Sequence, residues 1–117
     1  MRVAVLSWNI LHSHGAARLQ RSARAPGTWA IDRYQRVSEH IRRQKPDVVC
    51  LQEVDAVALD ELQRSLDGYE LAAELRNETL PPKDGCATFI RSNRFEILDV
   101  LKFRMRDHLP KFLPQLD

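Results

Sequence analysis

The sequence predicts an α/β layered domain, and three observations carry that expectation. Two short, continuous apolar runs, Val3–Leu6 and Val48–Leu51, have the length and composition of buried strands. Between and after them lie apolar residues at helical spacing: Tyr34, Val37 and Ile41, then Leu59, Leu62 and Leu66. From Tyr69 onward, strand-like segments follow one another with turn residues between them. Strands interleaved with helices, then consecutive strands, make a layered α/β fold.

Taken in order, Arg2–Trp8 reads as the first strand. Residues 12–31 read as a long loop rich in Gly, Ala, Arg and Ser, with Pro26-Gly27 as a turn. Asp32 is the expected N-cap of a helix that runs to about Gln44. Lys45-Pro46 stops that helix, because a residue before proline avoids the helical region. Val48–Gln52 is the second strand, and the second helix closes near Gly68. Tyr69–Glu74 is the third strand, and Pro81-Pro82 breaks the chain before Asp84-Gly85. Cys86–Arg91 and Phe95–Phe103 are expected to form an antiparallel pair joined by Ser92-Asn93.

Composition fits a globular domain, with 44% hydrophobic and 29% charged residues. No apolar run approaches the roughly 20 residues needed to cross a bilayer. The net charge of +2 is far from that of a strongly basic nucleic-acid binder. Its distribution is uneven: residues 48–75 carry Arg64 alone against seven acids, whereas the flanking segments are net basic. Acids that attract cations, flanked by arginines that steer a polyanion, suit a metal-dependent enzyme acting on phosphates; ordinary charged helix surfaces give the same count. The first 31 residues hold arginines and no acid, as in a transit peptide, but a strand starting near Val3 leaves no room for a removable leader. Cys50 and Cys86 both fall inside expected strands, where they act as core hydrophobes in a reducing compartment.

The chemistry centres on Glu53, which closes the run Val48–Gln52. A carboxylate at the end of a buried strand is poorly placed for packing and well placed for holding a metal. By itself it is equally a solvent-facing residue or the cap of the next helix. Asn9 ends the first strand in the same way with a neutral amide.

Ser7-Trp8-Asn9-Ile10-Leu11, Leu51-Gln52-Glu53 and Lys83-Asp84-Gly85-Cys86-Ala87, in that order and spacing, resemble the endonuclease/exonuclease/phosphatase superfamily. The Asp-Gly-Cys-Ala stretch and the link from Tyr34 through Lys45-Pro46-Asp47 are similar to its branch of deadenylases, nocturnin, Angel proteins and 2′-phosphodiesterases. The likeness runs from about Val3 to Phe103. It implies a four-layer α/β/β/α sandwich, with Glu53 as metal ligand, Mg2+ (or Mn2+) as cofactor and Asn9 as a catalytic amide. It also implies a phosphate contact by a basic residue at the end of the third strand, where Arg76 stands. The superfamily's later groups, an Asp-x-Asn pair, a late Asp and a terminal His after Asp, have no counterpart here. Residues 1–117 are therefore expected to form a single incomplete domain, the N-terminal half of the sandwich, inactive alone and prone to associate through an uncovered sheet.

The function so implied is Mg2+-dependent phosphodiester hydrolysis at RNA 3′ ends such as poly(A), or on a related nucleotide, by an intracellular and preferably cytoplasmic protein. An apurinic-site endonuclease or phosphoinositide phosphatase of the same superfamily is the alternative, as is a non-catalytic remnant that binds a partner or nucleic acid. Lesser candidates are Lys83 and Asp84, which position a loop beside the site, and the His12-x-His14 pair, which lacks the further ligands zinc needs. Trp8 and Trp29 suit base stacking or plain packing.

Overall fold

A computed structural model describes residues 1–13, 26–77, 79 and 83–104, with the backbone alone for 26–30. The elements are β1 (Val5–Asn9), α1 (Pro26–Gln44), β2 (Val48–Val54), α2 (Ala56–Ser65), β3 (Tyr69–Arg76) and β4 (Gly85–Arg91). The expectations for His14, the loop over 14–25, Pro81-Pro82 and the Trp29 side chain fall outside the described residues.

The strands form one mixed sheet in the order β1-β2-β4-β3. β1 and β2 are parallel, joined through α1, while β4 runs antiparallel to both β2 and β3. The register sorts side chains by face. Leu6, Val49, Phe89 and Leu71 lie in one row across all four strands, and Ser7, Cys50, Thr88 and Ala73 lie in the next. Alternation along each strand sends these rows to opposite faces.

Both helices cover the first face. Tyr34, Val37 and Ile41 of α1 and Ala58, Leu59, Leu62 and Leu66 at α2 form one core with Val49, Leu51, Val54, Ala87 and Phe89. Apart from Ala58, these helical residues are the positions the periodicity singled out. Among the described residues no helix covers the second face. The segment after β4 bends back over its β3–β4 side, where Leu101 and Phe103 approach Ala73, Leu75 and Thr88. This face explains Cys86, which lies in β4 as expected but is exposed and not part of the core.

Several local expectations are corrected. The first helix begins at Pro26, six residues before Asp32, so Pro26-Gly27 opens a helix and Asp32 lies within it. Proline suits a first helical position, where its missing N–H would have no partner anyway. Phe95–Phe103 is not a strand: residues 95–104 carry no regular structure. The reason is topological, since β4 already gives one edge to β2 and the other to β3. Gly85 also belongs to β4, which starts one residue before the strand expected from Cys86. A Cβ on Gly85 would sit 2.0 Å from the Leu75 carbonyl oxygen, so only glycine lets β4 start this close to β3.

The N-terminal ends of the strands are locked by Asp47. Its carboxylate accepts from the Ala4 amide at 2.8 Å, Arg94 Nη1 at 2.7 Å and Arg91 Nη1 at 3.3 Å. The Ala4 bond, with Arg94 and Arg91 after it, holds this carboxyl below its ordinary pKa of 3.8 despite burial.

Candidate metal centre at the strand ends

The carboxyl ends of β1, β2 and β3 and the start of β4 lie at one edge of the sheet, because β4 runs antiparallel to its neighbours. Open α/β sheets characteristically bind ligands at such strand ends.

A bulge in β2 places Glu53 there. Val49 and Leu51 point into the core, so unbroken alternation would drive Glu53 in after them. Instead the register with β4 shifts between Leu51 and Val54, Glu53 adopts a left-handed backbone (φ 56°), and Val54 takes the core position. The left-handed conformation costs about 1–2 kcal/mol. Burying Val54 returns about 1.5–3 kcal/mol, and an unpaired carboxylate in the core would cost more than either.

Asn9 then meets Glu53 across the parallel pair. Asn9 Oδ1 accepts from the Leu11 amide at 3.0 Å, which turns Nδ2 toward Glu53 Oε1 at 2.9 Å. Leu11 is itself left-handed (φ 61°), and the turn is pinned from α1: Arg33 Nη2 donates to the Ile10 carbonyl and Tyr34 Oη to that of Leu11. Burial, reinforced by the Asp55 carboxylate, pushes the Tyr34 phenol well above its ordinary pKa, which keeps it a donor.

The other oxygen, Glu53 Oε2, is buried and has no hydrogen-bond partner. His12 Nε2 stands 4.0 Å from it. One ligand atom each from His12, Glu53 and Asp84 lie within 4.8 Å of one another. A buried carboxylate oxygen without a donor, facing a second carboxylate and an imidazole, fits a divalent cation. Two carboxylates supply charge and hard oxygen, and the imidazole supplies nitrogen.

His12 is held from its far side by Asp55. Asp55 caps α2 by accepting from the Ala58 amide at 2.9 Å, and it accepts from both the Ser13 amide and the Ser13 hydroxyl. The helix cap is thus Asp55, not Glu53. Its signal in the sequence was available, as an Asp directly before an apolar helical stretch.

The other candidates divide. Arg76 shares a register row with Gly85 and Val54, so it reaches the same sheet edge. There its Nε donates to Glu74 Oε2 at 3.0 Å. Lys83 is exposed beside Asp84. Trp8 packs against the core and edge-on to His40, with ring centroids 5.3 Å apart, which leaves it a packing residue. The structure thus brings the sequence candidates Asn9 and Glu53 together, sets His12 and Asp84 beside them, and adds Asp55, to which the sequence analysis gave no role.

The sequence profile of the Endonuclease/Exonuclease/phosphatase family matches residues 6–113. Ccr4, the 3′-5′-exoribonuclease subunit of the CCR4-Not complex of Emericella nidulans, is 30% identical over 111 residues, covering 84% of this chain and 16% of its own length. Angel homolog 2 of Mus musculus is 31% identical over 120 residues, covering 97% of this chain and 21% of its own. The crystal structure of ANGEL2, a 2′,3′-cyclic phosphatase, superposes with a TM-score of 0.58 at 28% identity, over 83% of this chain and 29% of that one. The chain therefore spans between a sixth and a third of the length of these relatives. No helix among the described residues is long and apolar enough to cross a membrane. From the strand-end Asn9 and Glu53, the sheet that presents them and the match over residues 6–113, the chain belongs to the endonuclease/exonuclease/phosphatase family, in the branch that holds Ccr4 and the Angel proteins.

Proposed function

We propose that residues 1–117 are a single, incomplete domain that carries part of the active site of a divalent-metal-dependent phosphodiester hydrolase. The substrate is the 3′ end of RNA, poly(A) included, or a related nucleotide, and the protein is intracellular. One observation carries this reading: Asn9 holds one oxygen of Glu53 while the other is buried without a donor.

Glu53, with Asp84 beside it, holds the ion, Mg2+ or Mn2+. Bound there, the ion supplies charge stabilisation at phosphate oxygens and a more acidic water. Asn9 orients the Glu53 carboxylate and keeps it aimed at the ion. The bulge and the Leu11 turn fix both groups in advance, so no reorganisation is spent during reaction. Arg76 is the phosphate contact, released from Glu74 when a more highly charged partner arrives. Groups of the kind the family supplies from its Asp-x-Asn and Asp-His segments complete the centre, so residues 1–117 alone bind the ion without turning over substrate.

The match to angel homolog 2 extends over 97% of this chain, against 84% for Ccr4. With the 28% identical ANGEL2 structure being that of a 2′,3′-cyclic phosphatase, this supports a second reading, in which the substrate is an RNA end bearing a 2′,3′-cyclic phosphate. The test uses a polypeptide that carries these residues within a complete domain, given 3′-hydroxyl oligoadenylate or the same RNA with a cyclic phosphate. Glu53→Gln is expected to abolish metal-dependent release from both. Asn9→Ala is expected to lower turnover about 10²–10³-fold with little change in KM, as for loss of a positioned polar group. Wild-type turnover of Glu53→Gln across a metal titration would falsify the assignment.

A further inference from the structure

We infer that His12 is a metal ligand, and that its nitrogen turns the oxygen site at Glu53 into a mixed one that prefers a first-row transition-metal dication over Mg2+. The inference rests on the metal-centre reading above and adds a residue and a selectivity to it.

Placement carries it first. His12 Nε2 lies 4.0 Å from Glu53 Oε2, the oxygen Asn9 leaves untouched. Asp84 closes the triangle, with one ligand atom from each residue within 4.8 Å of the others. Two ligands bonded to one small ion stand roughly 3–4 Å apart, given bond lengths of about 2.0–2.2 Å, so a small inward movement of Asp84 or His12 completes the set.

Restraint carries it second. The residue before His12 is fixed by Asn9 and Tyr34, through the Leu11 amide and carbonyl. The residue after it is fixed by Asp55, through the Ser13 amide and hydroxyl. An imidazole only 18% exposed, on a backbone fixed on both sides, is arranged to meet Glu53. Asp55 is a positioning residue for His12, because it acts through Ser13.

Chemistry decides the selectivity. Mg2+ demands oxygen ligands in near-ideal octahedral geometry and gives up its waters reluctantly. An imidazole adds little for it. The same nitrogen strengthens binding of later first-row dications, whose affinity for nitrogen-containing sites rises along the series.

The experiment loads the full chain with Mn2+ and follows it by electron paramagnetic resonance. The free-ion signal gives the affinity, competition with Mg2+ gives the selectivity, and spin-echo modulation reports a directly bonded 14N. The expected result is imidazole nitrogen coupling in the wild type, absent from His12→Gln. The lost ligand should weaken binding of Zn2+, read by its displacement of Mn2+, by about 10–100-fold, with a smaller loss for Mn2+, the first of that series, and Mg2+ affinity nearly unchanged. Bound Mn2+ without nitrogen coupling, or coupling that persists in His12→Gln, overturns the inference. Glu53→Gln separates the two levels: if it leaves Mn2+ affinity unchanged, the metal centre itself is misplaced. If it abolishes binding while the wild type lacks nitrogen coupling, the centre stands and His12 is not a ligand.

Discussion

Two carboxylates bracket β2, and they have opposite surroundings. Asp47, just before the strand, is buried and saturated: the Ala4 amide and two guanidinium groups satisfy both oxygens. Glu53, near the other end, has one oxygen on a neutral amide and the other buried with no donor. Burying a charge is tolerated only when it is paired or bound to a metal. Asp47 meets that condition within the chain and closes the structure. Glu53 Oε2 does not, and that contrast supports the metal site proposed at this end of the sheet.

The contrast breaks most visibly in activity. Within a complete domain, Glu53→Gln is expected to reduce turnover by roughly a thousandfold, as for loss of a group that stabilises transition-state charge. Its unfolding free energy should stay within about 0.5 kcal/mol of wild type, as for a change outside the core. Paired urea melts and turnover assays check both. A large stability loss would make Glu53 a structural residue like Asp47.

Asp47→Ala should do the reverse. It strips Arg91, Arg94 and the Ala4 amide of their shared acceptor, so the thermal midpoint should fall further than for any single change at Glu53 or Asn9. The pH dependence follows from sign. The folded-state pKa lies below the ordinary 3.8, so the stabilisation is fully present above that value and is lost as pH falls through the folded pKa. Melts from pH 6 down to pH 2 should steepen below about pH 4 in the wild type and flatten in Asp47→Asn, in keeping with the general course of acid unfolding.

Gly85→Ala sharpens the comparison by joining structure to site. The added methyl meets the Leu75 carbonyl at 2.0 Å, so β3 and β4 must separate. A cost of about 1–3 kcal/mol is expected from such overpacking, together with weaker metal binding through displaced Asp84. Chemical denaturation and calorimetric metal titration read the two effects separately. The smallest effect belongs to Asp55→Ala, which removes a helix cap worth about 1 kcal/mol and frees Ser13. Its metal affinity should fall more than its stability, and equal affinity would show that the clamp on His12 is idle.

Much of this was legible in the sequence where the cause is local. Tyr34, Val37 and Ile41 occur at helical spacing because one face of a helix must be covered, and they fill the core. Val49 and Leu51 alternate with Val48 and Cys50 because strand side chains alternate. Asn9 and Glu53 stood out because a polar group closes each apolar run. Local signals misled where a nonlocal condition overrode them. Phe95–Phe103 has a strand-like composition, but its expected partner β4 has no free edge, since it sits between β2 and β3. Gly85 stood just before the expected strand, yet it opens β4 and answers to the backbone of a different strand.

The sequence by itself determined the sheet-and-helix alternation, the covered faces and the two strand-end groups, because these follow from periodicities of two and 3.6 residues along a continuous chain. Only the tertiary structure decided that His12 and Asp84 reach Glu53. Those meetings depend on the β1–β2 register, the one-residue bulge that turns Glu53 outward and the close start of β4 against β3. Each is a relation between segments that loops or helices separate along the chain, and no local periodicity encodes a distance across them.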